Sequence, residues 1–283
     1  MTDLTMLDAV VVGAVQGLTE FLPVSSSGHL VFTKYFYGAH GVTASYILLL
    51  HAGTLVAIVA ALWKDIVKIA TETITGKGYG RSISLAVIVA TIPGGLFGYF
   101  LADKVDSLFL TSGIKIGNFP IAPYQLVGVA FIITATMLLK PADEIIKKRV
   151  EEKKDGFGPE KITWMMGLKV GIAQALAIIP GISRSGATIS TALKCGFSRD
   201  FAARFSFLMS IPIIVGAILS KYKELNVTFN YHPPEFHAMI VGVAVAAITG
   251  YLAIRYMINL LVTGDLHKFV TYLWIVGLIC IAS

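Results

Sequence analysis

Apolar stretches recur along the chain at about 45–63, 83–102, 121–139, 202–220, 236–260 and 267–283. Each comes close to the ~20 residues that a helix needs to cross ~30 Å of hydrocarbon, so the pattern predicts six spanning helices. Two further regions follow another rhythm: an apolar run, a cluster of Pro, Gly and Ser, then a second apolar run too short to cross by itself. The short runs are His29–Tyr37 and Ala187–Cys195.

These two regions are related. A shift of 158 residues lays GAVQGLTEFLPVSSSG (13–28) on GIAQALAIIPGISRSG (171–186) with six of sixteen positions identical: Gly13/Gly171, Gln16/Gln174, Leu18/Leu176, Ser25/Ser183, Ser27/Ser185 and Gly28/Gly186. Three predicted spans separate the copies, and an odd number sends equivalent segments into the membrane from opposite faces, which makes an inverted repeat. Each copy then reads as a re-entrant hairpin. Non-helical backbone at membrane depth is tolerated only where it is packed in protein or lines a wet cavity, because its free N–H and C=O groups otherwise go unsatisfied. Two such breaks are expected to meet at one polar centre. The expected fold class is an all-α polytopic membrane protein, an inverted-topology repeat with six transmembrane helices and two re-entrant helical hairpins. It forms a single integral membrane domain, with repeat 1 at about 1–140 and inverted repeat 2 at about 161–283.

Composition agrees: 55% of the 283 residues are hydrophobic, 14% are charged, and the mean hydropathy is +0.76, beyond what a soluble core needs. The net charge is +6, and its distribution sets direction. Connection 140–161 holds seven Lys and Arg and connection 64–81 holds four, against two each in 103–120 and 221–235. The positive-inside rule places the first pair in the cytoplasm and the second pair outside. The run at 140–161 is not a nucleic-acid site, since Asp143, Glu144, Glu151, Glu152, Asp155 and Glu160 nearly balance it and no aromatic residues interleave. It reads as a solvated loop with helical ends. Met1–Asp8 carries two aspartates and no basic residue, unlike a cleaved signal peptide.

The first break, EFLPVSSSGH (20–29), concentrates the chemistry. Between Asp8 and Asp65 the only carboxylate is Glu20, and an acid inside the bilayer is a functional candidate by default. Its opposite number is Arg184, the one arginine in the second break, PGISRSGAT (180–188). Ser25, Ser26 and Ser27, with Ser183 and Ser185, are placed to cap the helices after the breaks. Helix N-termini beside a guanidinium favour an anion, and the planar Arg fork favours phosphate. His29 follows Ser26 by three residues, on one helix face. A hydroxyl, an imidazole, a carboxylate and an arginine are the parts of phosphoryl transfer.

With these stretches quoted, AVQGLTEFLPVSSSGH (14–29) and PGISRSGAT (180–188) resemble the two signature motifs of the undecaprenyl pyrophosphate phosphatase family, the membrane proteins associated with bacitracin resistance. The likeness covers essentially the whole chain, including FSFLMSIP (205–212). It implies six spans plus two re-entrant hairpins, a cleft open to the outer face of a cell membrane, and hydrolysis of a polyprenyl diphosphate to the monophosphate. It also implies roles for Gln16, Glu20, Ser26, His29, Ser183, Arg184 and Thr188, and dependence on a divalent cation, Mg²⁺ or Ca²⁺. Many members have a glutamate where this chain has Gln16, so Glu20 and Gln16 would hold such a metal together with lipid phosphate oxygens. The expected assignment is Glu20, Ser26, His29 and Arg184 as catalytic, with Ser25, Ser27, Ser183, Arg184, Ser185 and Thr188 holding substrate. Either Ser26 attacks, helped by Glu20 or His29, or one of them activates water. The expected partners are the lipid diphosphate and the bilayer, with a homodimer left open. A secondary transporter or flippase of a lipid phosphate, and a lipid-binding scaffold without turnover, are the competing readings.

Other polar residues have plainer explanations. His51 is expected as a hydrogen-bonded interior histidine, with a place lining the cleft left open, and His40, His232, His237 and His267 as solvated near loops or helix ends. Lys194, Arg199 and Arg204 are expected to snorkel to headgroups, HPPE (232–235) to be an external turn, and Cys195 and Cys280 to be small buried hydrophobes.

Overall fold

A computed structural model describes residues 4–39, 41–117, 119–150, 155–222, 225, 235–263 and 265–283. His40, His232, most of HPPE and residues 151–154 of the basic connection lie outside the described residues. Eleven α-helices are described: α1 (Met6–Phe21), α2 (Ser26–Phe32), α3 (Ala44–Ala61), α4 (Trp63–Thr75), α5 (Gly80–Asp106), α6 (Pro123–Val150), α7 (Trp164–Leu176), α8 (Arg184–Lys194), α9 (Arg199–Ser220), α10 (Phe236–Thr263) and α11 (His267–Ala282). A π-helical turn, Thr33–Tyr37, extends α2. Between α5 and α6 a small antiparallel hairpin pairs β1 (Ile114–Ile116) with β2 (Phe119–Ile121).

All six apolar stretches are helical. Five of those helices, α3, α5, α6, α9 and α10, are long and apolar enough to cross a membrane, whereas α11 is apolar but only 16 residues long. The connection 64–81, expected as a loop, is largely the helix α4. Its apolar residues Ile66, Ile69 and Ala70 lie toward α5 and α9, lining a groove with them, and the charged side chain of Lys68 stands out from it, paired with Glu72 one turn on.

The interrupted units are α1–α2 and α7–α8, and each packs on a long helix from the other half of the sequence. Helix α1 lies on α10, and α7 lies on α5. Small residues permit the approach. A Cβ added at Gly13 would sit 2.4 Å from the Gly242 carbonyl oxygen, and one at Gly171 would sit 2.4 Å from that of Ala90. Ala9–Gly13–Gly17 faces Gly242–Ala246–Gly250, and Gly167–Gly171 faces Ala86–Ala90. This small-residue spacing lets backbones touch where lipid removes the hydrophobic drive for association. Exchanging the halves exchanges the contacts: α3 packs on α10 as α9 packs on α5, while α6 lies against its counterpart α11 and α3 against α9. Phe21, at the end of α1, meets Phe207 of α9 edge to face at 5.5 Å, sealing the apolar side of the junction where the two breaks meet.

Arg199 and Arg204, expected to reach toward headgroups, are held in ion pairs. Arg199 binds Asp155 and the Val262 carbonyl, and Arg204 binds Asp200 at 2.8 Å and Asp65 at 2.7 Å, because carboxylates from neighbouring elements reach them first. His267 is likewise held, between Asp265 at 2.7 Å and Asp143 at 2.8 Å. Cys195 and Cys280 are unpaired, and Cys280 is buried.

Candidate active site

The two breaks are built alike. Ser25 caps α2, its Oγ accepting the Gly28 N–H, and Ser183 caps α8, its Oγ accepting the Gly186 N–H at 3.0 Å. These are equivalent positions of the sequence repeat. Ser25 nevertheless has φ +70°, the one non-glycine residue with positive φ among those described, a conformation that costs of order 1–3 kcal/mol and persists only where its surroundings impose it. Here they do. Ser25 Oγ also accepts the Gly181 N–H from the second break at 3.1 Å, and the Ser25 carbonyl accepts both the backbone N–H of His29 at 3.1 Å and its imidazole Nδ1 at 2.8 Å.

Further ties close the junction. Ser185 Oγ donates to the Leu22 carbonyl at 2.9 Å. Thr134 of α6 donates to the Gly181 carbonyl at 2.8 Å and accepts the Ser183 N–H at 3.1 Å. The free backbone groups that a break creates are thus met by side chains from the other break or from α6, as buried polar groups require. Gly28 packs so closely that a Cβ there would lie 2.9 Å from the Gly181 Cα.

Glu20 sits at the centre, in the last turn of α1 and buried. Its Oε1 accepts Arg184 Nη2 at 2.5 Å. Its Oε2 accepts Ser26 Oγ at 2.5 Å and Gln16 Nε2 at 2.9 Å, and His51 Nε2 stands 3.8 Å away. The acid of the first break and the guanidinium of the second therefore form one buried ion pair, and such a pair is tolerated when hydrogen bonds satisfy its remaining sites. Among the described residues four buried side-chain atoms have no hydrogen-bond partner, and two of them belong to this cluster: Arg184 Nη1, a donor, and Gln16 Oε1, an acceptor. A buried unpaired donor on a cation costs free energy that a bound anion returns.

Not every expected residue faces this centre. Thr188 is fully buried, its hydroxyl donating to the Arg184 carbonyl at 2.8 Å and shared with Ser206 at 2.6 Å, so it braces the helix that carries Arg184. The hydroxyls of Ser25, Ser183 and Ser185 are engaged with backbone as described, and Ser27 Oγ lies 3.3 Å from Ser25 Oγ. His29 has both ring nitrogens occupied, one by the Ser25 carbonyl and the other by the Tyr272 hydroxyl at 2.7 Å. In the other direction, His51 was expected to be an interior histidine bonded to its own helix. It is, through Nδ1 and the Ile47 carbonyl at 2.8 Å, yet its second nitrogen looks toward Glu20. Helical spacing within α3 does not reveal that approach across 31 residues of sequence.

For a divalent cation the donors are hard oxygens, Gln16 Oε1 without a partner and the Glu20 carboxylate one turn away. Among the described residues no group of three His, Cys, Asp or Glu gathers around a metal position. The donors present fit a cation that takes most of its ligands from water and substrate, as Mg²⁺ does.

Fold and site together define a polytopic, all-helical membrane protein with a buried ion-pair site assembled from two interrupted helix pairs. Comparison of the chain with known proteins is in keeping with that class. The family described as Bacitracin resistance protein BacA matches residues 9–279. An undecaprenyl-diphosphatase of Moorella thermoacetica is 38% identical over 274 residues, covering 95% of this chain and 94% of the relative. Another, of Carboxydothermus hydrogenoformans, is 38% identical over 273 residues with the same coverage, and one of Korarchaeum cryptofilum is 36% identical over 282 residues, covering 95% and 96%. The chain belongs to the bacitracin resistance protein family.

Proposed function

We propose that this protein is a membrane undecaprenyl-diphosphate phosphatase, which hydrolyses the lipid diphosphate to the monophosphate and inorganic phosphate. The observation that carries the reading is Glu20, bonded through one oxygen to the Ser26 hydroxyl and through the other to Arg184. In this reading the hydroxyl is the nucleophile, the carboxylate its base and the guanidinium the charge clamp. A transporter needs the clamp but has no use for a serine hydroxyl held against a base.

The prenyl tail stays in lipid while the diphosphate enters between the breaks. Arg184 turns its unpartnered Nη1 to a phosphate oxygen, helped by the N-terminus of α8. Ser26 Oγ attacks the terminal phosphorus as its proton passes to Glu20 Oε2. The Oγ–P bond forms, the phosphoanhydride P–O bond breaks, and the bridging oxygen leaves on the prenyl monophosphate, which takes the proton from Glu20. Water then attacks the phosphoserine, gives a proton to Glu20, and frees phosphate as Ser26 Oγ is reprotonated. In the alternative course, Glu20 activates water directly. Gln16 and Glu20 would hold a divalent cation with substrate oxygens, and it would supply neutralisation of the diphosphate charge.

This reading takes α1–α2 and α7–α8 as re-entrant hairpins of an inverted repeat, with halves at about 1–140 and 161–283 and a cleft open to the outer face. Their arms support it, since α1 and α7 have 16 and 13 residues, short of a crossing. Phosphate release from undecaprenyl diphosphate by the purified protein, with and without chelator, tests the function. We expect turnover by the wild type, lost on chelation. Substrate binding with no released phosphate at any cation concentration would sink the enzyme reading in favour of transport or scaffolding.

A further inference from the structure

His29 is the histidine that the sequence places beside the nucleophile, yet both of its ring nitrogens are bonded to other groups. The ring lies between Phe131 of α6, with centroids 5.1 Å apart, and Tyr272 of α11, stacked at 5.6 Å with an interplanar angle of 9°. The partners assign its protons. A carbonyl oxygen can only accept, so the nitrogen facing the Ser25 carbonyl carries hydrogen, and in the neutral ring Nε2 is the acceptor of the Tyr272 O–H. The contact to Ser25 matters because Ser25 is the residue with positive φ, and Ser26 follows it directly. Holding the Ser25 carbonyl fixes the peptide plane from which Ser26 projects to Glu20.

We infer that Tyr272 is a positioning residue, which acts through His29 to hold the Ser25 turn and thereby the Ser26 hydroxyl against Glu20. His29 is then a fastener of the turn, and its ring transfers no proton in the reaction. The inference rests on the phosphatase reading for its kinetic readout, and its geometric core is independent of it. The path runs from the Tyr272 hydroxyl to His29 Nε2, across the ring to Nδ1, and on to the Ser25 carbonyl. It couples α11, near the end of the chain, to the first break. Small displacements of a nucleophile are costly, with about 1 Å capable of a ~100-fold loss.

The substitutions differ in which nitrogen they imitate. The amide nitrogen of Asn falls near His Nδ1, and that of Gln near Nε2. His29→Asn should therefore keep the bond to the Ser25 carbonyl and about a tenth of wild-type kcat, whereas His29→Gln and His29→Ala lose about 100-fold. Tyr272→Phe should lower kcat by about tenfold, with KM for undecaprenyl diphosphate unchanged within about twofold. In the His29→Asn background Tyr272→Phe should cost nothing more, since residues acting through one partner are not additive. Size exclusion in detergent checks that each variant is folded. Wild-type kcat in Tyr272→Phe, additive losses in the double variant, or His29→Asn as inactive as His29→Ala would each overturn the inference.

A readout free of turnover separates it from the phosphatase reading. In protein labelled with ¹⁵N-histidine, His29 should show hydrogen on Nδ1, and Tyr272→Phe should shift its Nε2 resonance. Hydrogen on Nε2 alone, or no response to Tyr272→Phe, refutes the positioning role. A wild type with these signals that releases no phosphate refutes the phosphatase reading and leaves the fastening intact.

Discussion

The two breaks share a scaffold and divide the chemistry. Ser25 and Ser183 cap equivalent helices, and Gly13 and Gly171 permit equivalent helix contacts. The reactive positions, however, are unlike. Where the first break has Glu20 and Ser26, the second has Ile178 and Arg184. A duplicated frame thus fixes where two backbones meet, and substitutions at two positions in each copy decide what the meeting can do. Neither break holds both partners of the ion pair: the first supplies the acid and the second the guanidinium.

The largest effect is expected from exchanging the unlike parts. Arg184→Ala should reduce turnover by about 10³-fold, the scale of removing a charge-stabilising group, and destabilise by about 3 kcal/mol by leaving a buried carboxylate without its partner. The double exchange Glu20→Arg with Arg184→Glu restores an ion pair across the junction. It should regain most of the lost stability in thermal unfolding yet remain inactive, because Ser26 would then face a guanidinium. Recovered phosphate release in the exchanged protein would show the breaks to be chemically interchangeable and defeat the comparison.

Ser26→Ala comes next. It removes the proposed nucleophile while keeping the Glu20–Arg184 pair, so unfolding should move little and turnover should fall by about 10²–10³-fold. Brief incubation of the wild type with labelled diphosphate, followed by denaturation, should leave label on Ser26. Turnover in Ser26→Ala near that of wild type, with no label found, would assign the attack to water activated by Glu20.

Smaller again, and equal on the two sides, is the effect of filling the shared frame. Gly13→Val and Gly171→Val each drive a side chain into a facing carbonyl, and overpacking of this kind costs typically about 1–3 kcal/mol. Similar losses of thermal stability in the two variants are the signature of a symmetric scaffold. A loss confined to one variant would mean that the halves do not bear on each other as their contacts suggest.

Much of this was legible in the sequence, for reasons that also mark its limits. Hydropathy located the six apolar helices because lipid imposes a long, unbroken pattern. The 158-residue shift related the two breaks, and the lone acid of one and the lone arginine of the other made their pairing legible, although the shift itself sets Glu20 on Ile178 and Ser26 on Arg184. Helix α4 was hidden by its charges: a run with Lys64, Lys68, Lys77 and Arg81 reads as a loop until its alternate apolar face is noticed. The Ala9–Gly13–Gly17 spacing carries a packing signal of its own, separate from the Pro, Gly and Ser clusters that mark the breaks. Contacts made by single side chains over long separations had no local signal at all. Tyr272 reaches His29 across 243 residues, and nothing in the pattern around either residue indicates the other.

The smallest expected effect lies where the last helices of the two halves are tied, α6 and α11. His267 joins Asp265, ahead of α11, to Asp143 of α6, and donating to both carboxylates requires the imidazolium form. Burial by itself would raise the Asp265 pKa, but the backbone N–H and imidazole of His267, with the nearby Lys268, outweigh it and hold the carboxyl below its ordinary value. A carboxyl with a depressed folded-state pKa contributes stability above its unfolded value and loses it as pH falls through the folded one. Acidification from pH 6 to below the usual carboxylate range should therefore lower the unfolding temperature of the wild type more than that of Asp265→Asn. The difference should be slight, because the pair is partly exposed and screened by solvent. Parallel pH curves for the two proteins would place the tie between the halves elsewhere, in the close contact of Gly128 with the Gly277 carbonyl, which no proton can loosen.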